Sequence, residues 1–169
     1  MACAPIFSTA AFAEDLLNGC KFNEWNDING RPKYYQVISK DNAGKEHTVY
    51  WLKQAESGEY SNKGDYDKTT FVINNSPAVT ACEKKKLHLP TKEEFEALRN
   101  CFEPDGRFLS NNGLKGLYSK LPDMENRWFW SSSAVSVSPE DFAFVFSGYD
   151  GDVVSFYRYY QDSVRCVGR

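Results

Sequence analysis

Aromatic and β-branched residues gather in short runs along this chain, and the spacers between the runs carry turn chemistry. Tyr34-Tyr35-Gln36-Val37-Ile38 and Thr48-Val49-Tyr50-Trp51-Leu52 flank Asp41-Asn42-Ala43-Gly44, a pattern that predicts a β-hairpin. Residues 54–70 are polar and punctuated by glycine, which predicts a surface loop, and Phe71-Val72-Ile73 is a short strand candidate. In Leu87-His88-Leu89-Pro90-Thr91-Lys92-Glu93-Glu94-Phe95, Thr91 can cap a helix while Glu94 returns a bond to the cap amide. Acidic residues follow at the positive end of the dipole, and Phe95 and Leu98 fall on one face, predicting a helix over 92–101. Residues 103–127 hold Pro104-Asp105-Gly106, Asn111-Asn112-Gly113, Gly116 and Leu121-Pro122-Asp123, and read as a long turn-rich connection.

The last third is strand-rich. Trp128-Phe129-Trp130 leads into Ser131-Ser132-Ser133, and Phe142-Ala143-Phe144-Val145-Phe146 reads as a strand apolar on both faces. Ser147–Asp152 makes a turn, Val153-Val154-Ser155-Phe156 re-enters the sheet, and Val164-Arg165-Cys166-Val167 closes the chain. At the other end, Ala11-Phe12-Ala13 has the small-x-small look of a signal cleavage site, but no positive segment precedes it. The stretch reads better as a short amphipathic helix ending at Gly19, with Leu16 and Leu17 packed inward. No linker or repeat divides the chain, so one domain over residues 1–169 is expected.

Composition narrows the function. A net charge of −3 without a basic stripe argues against nucleic-acid binding. No apolar run is long enough to span a membrane. Cys3, Cys20, Cys82, Cys101 and Cys166 contain no CxxC pair, so neither a zinc ribbon nor a thioredoxin motif is written here. One or two disulfides in an exported protein, with an odd thiol, stand beside the alternative of buried free cysteines in a reducing compartment.

Motifs for zinc proteases, serine hydrolases, P-loops and dinucleotide binding are missing, and His47 and His88 are the only histidines. His88, between Leu87 and Leu89, reads as structural. Asp141, Asp150 and Asp152 surround Gly148 and Gly151 and offer oxygen ligands that suit calcium, although acidic turns are commonly just solvated. No catalytic residue is assigned.

Residues 147–163 carry the sharper signal. Tyr149, Tyr157, Tyr159 and Tyr160 are interleaved with Asp150, Asp152, Ser155 and Arg158, then followed by Gln161 and Asp162. Tyrosine offers large amphipathic area at little entropic cost, and Ser, Asp and Arg add adaptable polar contacts, as in a paratope. Sugars suit the same mixture, stacking C–H faces on rings. As an extended strand, Ser155, Tyr157 and Tyr159 would share one face and Phe156, Arg158 and Tyr160 the other, which yields no clean apolar side. Recognition therefore explains the segment better than packing.

Three blocks carry a resemblance. Leu87-His88-Leu89-Pro90-Thr91-Lys92-Glu93-Glu94-Phe95 resembles an "RLPTxxE(L/W)" block, with His88 in place of the usual Arg. Trp128 to Ser133 is similar to "YWSSS". Ala143-Phe144-Val145-Phe146, a glycine turn and Val164-Arg165-Cys166-Val167 look like "AWxVxF…G…VRCV". In this order the blocks resemble the bacterial C-terminal adhesin domains of collagen-like proteins with their major-paralogous-domain relatives, and the variable proteins of diversity-generating retroelements. Both have the formylglycine-generating-enzyme type of C-type lectin fold. The resemblance covers residues 78–169.

It implies an α+β, C-type-lectin-like domain with mixed antiparallel sheets that displays a ligand-binding face. The partner would be a protein receptor or a glycan on a cell surface, and the location extracellular, on a cell surface or on a phage particle. The exposed candidates carried over are Tyr149, Asp150, Asp152, Ser155, Tyr157, Arg158, Tyr159, Tyr160, Gln161 and Asp162, with Trp130, Phe144, Phe146 and Val164 as scaffold. It also implies a Cys82–Cys166 disulfide. The oxidase branch binds copper through two nearby C-terminal cysteines, and this chain has only Cys166 there, so a non-enzymatic binding module is expected.

Overall fold

The computed structural model describes residues 15–26, 32–104 and 107–169. Strands β1 (Asp15–Leu17), β2 (Cys20–Asn26), β3 (Pro32–Lys40) and β4 (Glu46–Leu52) come first, then the two-residue β5 (Asp65–Tyr66) and β6 (Ile73–Asn74). Helices α1 (Pro77–Glu83), α2 (Lys92–Phe102) and α3 (Asn111–Lys120) follow. The chain ends in β7 (Trp128–Ala134), β8 (Phe142–Ser147), β9 (Val153–Tyr157) and β10 (Val167–Gly168). The sheets are antiparallel and run β1-β2-β3-β4-β10, β5-β6 and β7-β8-β9, an α+β architecture.

The expected helix ending at Gly19 is a strand at Asp15–Leu17 instead. Asn18 (φ 50°) and Gly19 (φ 80°) are both left-handed and join β1 to β2 as a two-residue hairpin. Asn-Gly is the pair that supplies those angles at least cost, and it outweighs three residues of helical pattern. Ala11-Phe12-Ala13 lies outside the described residues.

The second hairpin forms as its pattern predicts, β3 and β4 pairing from Tyr34↔Leu52 to Lys40↔Glu46. Its turn is closed by Asp41, whose Oδ1 accepts from the amides of Ala43 and Lys45 and whose Oδ2 lies 2.8 Å from His47 Nε2. Tyr35, Val37, Val49 and Trp51 face the core, and Tyr34, Gln36 and Tyr50 face outward.

Helix α2 opens with both bonds of the capping box, Glu94 N to Thr91 Oγ1 (3.2 Å) and Thr91 N to Glu94 Oε2 (3.0 Å). Its Phe95 ring lies between Trp51 of β4 (5.3 Å) and Phe146 of β8 (5.1 Å), so α2 is the layer joining the two larger sheets. The β7-β8-β9 sheet is covered on both sides. Phe129 and Phe146 belong to the core beneath α2, while Trp130, Ala143 and Val145 pack with Ile73, Val79, Val164 and Cys166. That two-sided burial is why Phe142–Phe146 shows no polar alternation.

Two helices depart from the sequence reading. Residues 103–127 are not a continuous turn-rich connection: Ser110 Oγ accepts from Gly113 N and starts α3. Gly113 and Gly116, read as turn residues, are where α3 touches α2. A Cβ at Gly113 would lie 3.1 Å from Phe102 O, and one at Gly116 3.0 Å from Phe102 Cδ1. Helix α1 was not anticipated, although Ser76-Pro77 is a cap followed by proline at the first helical position. Phe71-Val72-Ile73 is strand only at Ile73, and Val72 forms an isolated bridge to Ser133.

Disulfides join Cys20 to Cys101 and Cys82 to Cys166, 81 and 84 residues apart in sequence. Loops of that length restrict the unfolded chain by about 4–5 kcal/mol each on chain-entropy grounds. Cys3 lies outside the described residues. Among the described residues no helix is long and apolar enough to cross a membrane.

Candidate ligand-recognition face

Strand β9 is the outer strand of its sheet and ends at Tyr157, where the chain turns. Extended geometry therefore does not continue through residue 160, and the turn gathers side chains that strand alternation would have separated. The Tyr157, Tyr159 and Tyr160 rings lie 5.0–5.9 Å apart. The cluster extends both ways. Phe142 meets Tyr157 at 4.3 Å, Phe156 meets Tyr160 at 5.9 Å, Trp128 stacks on Phe156 at 4.9 Å, and Tyr149 meets Trp128 at 5.7 Å. Seven rings thus form one strip of contacts that wraps the β9 edge, Tyr157 lying beside Phe142 on one face of the sheet and Phe156 beside Ala143 on the other. Its exposed members are Tyr149 (50%), Tyr157 (41%), Tyr159 (58%) and Tyr160 (47%).

Arg158 is not an exposed contact residue, as the resemblance implied. It is 2% exposed and fixes the tyrosine corner from behind. Its Nε donates to Asn62 O (2.9 Å), Nη2 to Gly64 O (2.6 Å) and Nη1 to Pro139 O (2.6 Å). Burial lowers its pKa, and the charges of Asp65, Asp141 and Glu140 oppose that shift. Asn62 is the hub behind it. Its amide NH donates to Arg158 O, its Nδ2 to Ser131 O, and its Oδ1 accepts from the Ser76 hydroxyl. A buried polar network with its partners supplied rigidifies what it joins, here the corner, β7 and the α1 cap.

Asp152 is likewise buried rather than displayed. Arg107 holds its carboxylate through Nε (3.1 Å to both oxygens) and Nη2 (2.9 Å). This pair braces the turn that carries Tyr149. Two glycines let that turn sit close to its support: a Cβ at Gly148 would fall 1.8 Å from Met124 O, and one at Gly151, at φ 76°, 2.4 Å from Leu109 Cγ. The Tyr118 hydroxyl donates to Gly148 O, and Leu109 N donates to Asp150 O. Arg107, Leu109, Tyr118 and Met124 thus buttress one end of the strip.

The remaining candidates divide by position. Ser155 and Gln161 are exposed, and Asp150 and Asp162 are half-buried. Burial, followed by the nearby Glu59, pushes the Asp162 carboxyl up to about 6, and its Oδ2 has no hydrogen-bond partner. The carboxylates considered for calcium do not converge. Asp152 is taken by Arg107, Asp150 Oδ1 accepts from Asp152 N, and Asp141 Oδ2 accepts from Ser138 Oγ. Among the described residues no three His, Cys, Asp or Glu side chains group as metal ligands. His88 acts through its main chain, exchanging bonds with Val167, and its imidazole is exposed.

Sequence reasoning missed Trp128, Phe142 and Phe156 as members of the strip, because each also reads as core. It missed Arg107 and Tyr118 because their partners lie 45 and 30 residues away. Comparison with protein-family models, curated proteins and solved structures gave no match.

Proposed function

We propose that this chain is a ligand-binding module of the C-type-lectin-like kind, exported, and that the tyrosine strip is its recognition face for a cell-surface protein or glycan. One observation carries the reading. Of the eight large hydrophobic side chains exposed among the described residues, four are the strip's tyrosines, linked by a chain of ring contacts on a braced scaffold. Exposed apolar area of that continuity marks interaction sites, and tyrosine dominates such sites because it loses little side-chain entropy on binding. Two disulfides support export, since they persist in oxidising compartments.

Within this reading, a diversified variable protein and a fixed-specificity adhesin differ in which positions change. Diversification would touch Tyr149, Asp150, Ser155, Tyr157, Tyr159, Tyr160 and Gln161 and spare Arg158 and Asp152, which hold the scaffold. Comparing the encoding locus between isolates separates the two.

The binding test applies the whole chain to arrays of glycans and of cell-surface proteins, beside a variant with Tyr157, Tyr159 and Tyr160 replaced by alanine. Saturable binding that disappears in the variant, while its cooperative unfolding transition persists, is the expected result. Binding that survives the triple replacement overturns the reading.

A further inference from the structure

Elsewhere in the molecule, rings carry a cation from the same chain. Lys33 Nζ lies 5.4 Å from the Tyr34 centroid, Lys53 4.4 Å from Tyr35, Lys92 4.6 Å from Phe144, and the Arg107 guanidinium 5.2 Å from Phe108. Among the described residues no lysine or arginine lies over Tyr149, Tyr157, Tyr159 or Tyr160.

Two carboxylates stand beside the tyrosine corner. Glu140 accepts from the Tyr66 hydroxyl at 3.0 Å and is exposed. The exposed Asp141 adjoins Phe142, whose ring meets Tyr157 at 4.3 Å. The corner's own cation, Arg158, is buried and committed to backbone carbonyls. It offsets part of the acidic charge without presenting a positive group to solvent.

We propose that the tyrosine corner seats a lysine or arginine side chain of a protein partner, with Tyr157, Tyr159 and Tyr160 as the cage and Glu140 and Asp141 as counter-charges. This rests on the strip being the recognition face and names what it recognises. Tyr160 stands at 84° to Tyr157 and at 64° to Tyr159, which lie at 32° to each other, so Tyr160 forms a wall angled to the other two rings. Angled aromatic walls surround a cation better than they stack a flat sugar face, and a cation is attracted by the negative face of each ring. The net charge of −3 also favours approach of a basic partner.

The test follows tyrosine ring signals of the whole chain by NMR during titration with three probes. These are a blocked pentapeptide containing two arginines, the same peptide with citrulline in their place, and a set of methyl glycosides. The arginine peptide is expected to shift the Tyr157, Tyr159 and Tyr160 signals, with the citrulline peptide about tenfold weaker, the loss of one partly desolvated cation–π contact. Added salt should weaken the arginine peptide severalfold, as should the pair Glu140→Gln and Asp141→Asn. If that double variant does not fold, the salt series on the unaltered chain decides. Equal binding of arginine and citrulline peptides, or no shift at the corner, overturns the proposal. Glycosides shifting the corner when the arginine peptide does not would overturn the cation while leaving the recognition face standing. No shift with any probe overturns the cation and returns the wider reading to the array experiment.

Discussion

The molecule has two aromatic surfaces built on opposite principles. On the outer face of the five-stranded sheet, Trp25, Tyr34 and Tyr50 occupy outward positions of β2, β3 and β4, and Tyr50 meets the other two edge-on at 6.2 and 6.4 Å. A cross-strand row ties them down: Asn23 Nδ2 donates to Gln36 Oε1 and Gln36 Nε2 donates to the Tyr50 hydroxyl. That surface is held by a backbone ladder and distributed by strand alternation. The tyrosine corner lies past the end of its strand, and its position depends on one buried arginine bonded to the carbonyls of Asn62, Gly64, Pro139 and, more weakly at 3.5 Å, Glu140. An aromatic set on a strand is positioned by its register; an aromatic set on a turn is positioned by whatever holds the turn.

The strongest way to break the contrast is at that arginine. Arg158→Met leaves the carbonyls of Asn62, Gly64 and Pro139 without their buried donor, and should cost about 3–5 kcal/mol in chemical denaturation. Arg158→Lys should recover little, because an ammonium cannot span the three directions of the guanidinium fork. Tyr157, Tyr159 and Tyr160 ring signals should lose dispersion in the variant while those of Tyr34 and Tyr50 stay put. Disturbance of both surfaces alike would show that they are not supported independently.

A smaller effect sits beside the corner at Asp162. Its folded pKa of about 6 lies above the ordinary 3.8, so the fold favours the protonated form. The associated stability is fully present below about pH 4 and is lost as pH rises through 6. Asp162→Asn mimics the protonated carboxyl and should stabilise the chain by about 1–2 kcal/mol at pH 7.5, after allowance for solvent screening. The gain should vanish near pH 3.5. Denaturation curves at both values check it, and a pH-independent gain would contradict the assigned cause.

The smallest effects sharpen the comparison most directly. Tyr159→Ser, on the exposed corner, should change stability by less than about 0.5 kcal/mol. Tyr50→Phe, which deletes the acceptor of Gln36, should cost about 0.5–1.5 kcal/mol despite its smaller change in shape. The reverse order would mean that the corner is packed and the sheet face is dispensable.

Local signals made parts of this architecture legible. The capping box at Thr91 and Glu94 is contained in four residues, and its bonds are the ones a helix start requires. The Asp41–Gly44 hairpin is equally local. The tyrosine segment stood out by composition, and Tyr149, Tyr157, Tyr159 and Tyr160 within it are exposed. Its geometry did not stand out, because beside the local bond from Tyr160 N to Tyr157 O the end of β9 is held by Arg158 main-chain bonds to Asn62 and Asp141, which no window around residue 157 contains. Asn18-Gly19 was readable and was outweighed by a weaker helical pattern, and the Ser76-Pro77 helix start was readable but passed over. The glycines of α3 were misread because a glycine for close helix packing and a glycine for a turn look alike in one dimension.

By itself, then, the sequence determined the elements whose chemistry is complete within a few residues, and it marked residues 149–162 as unusually rich in tyrosine. Tertiary structure alone decided which of those residues face solvent. Arg158 and Asp152 are as polar as Ser155 and Gln161, yet the first two are buried because distant acceptors and a distant arginine await them. Burying a charge is costly unless its hydrogen bonds are met, and partners 19 to 96 residues away become neighbours only once the chain has folded.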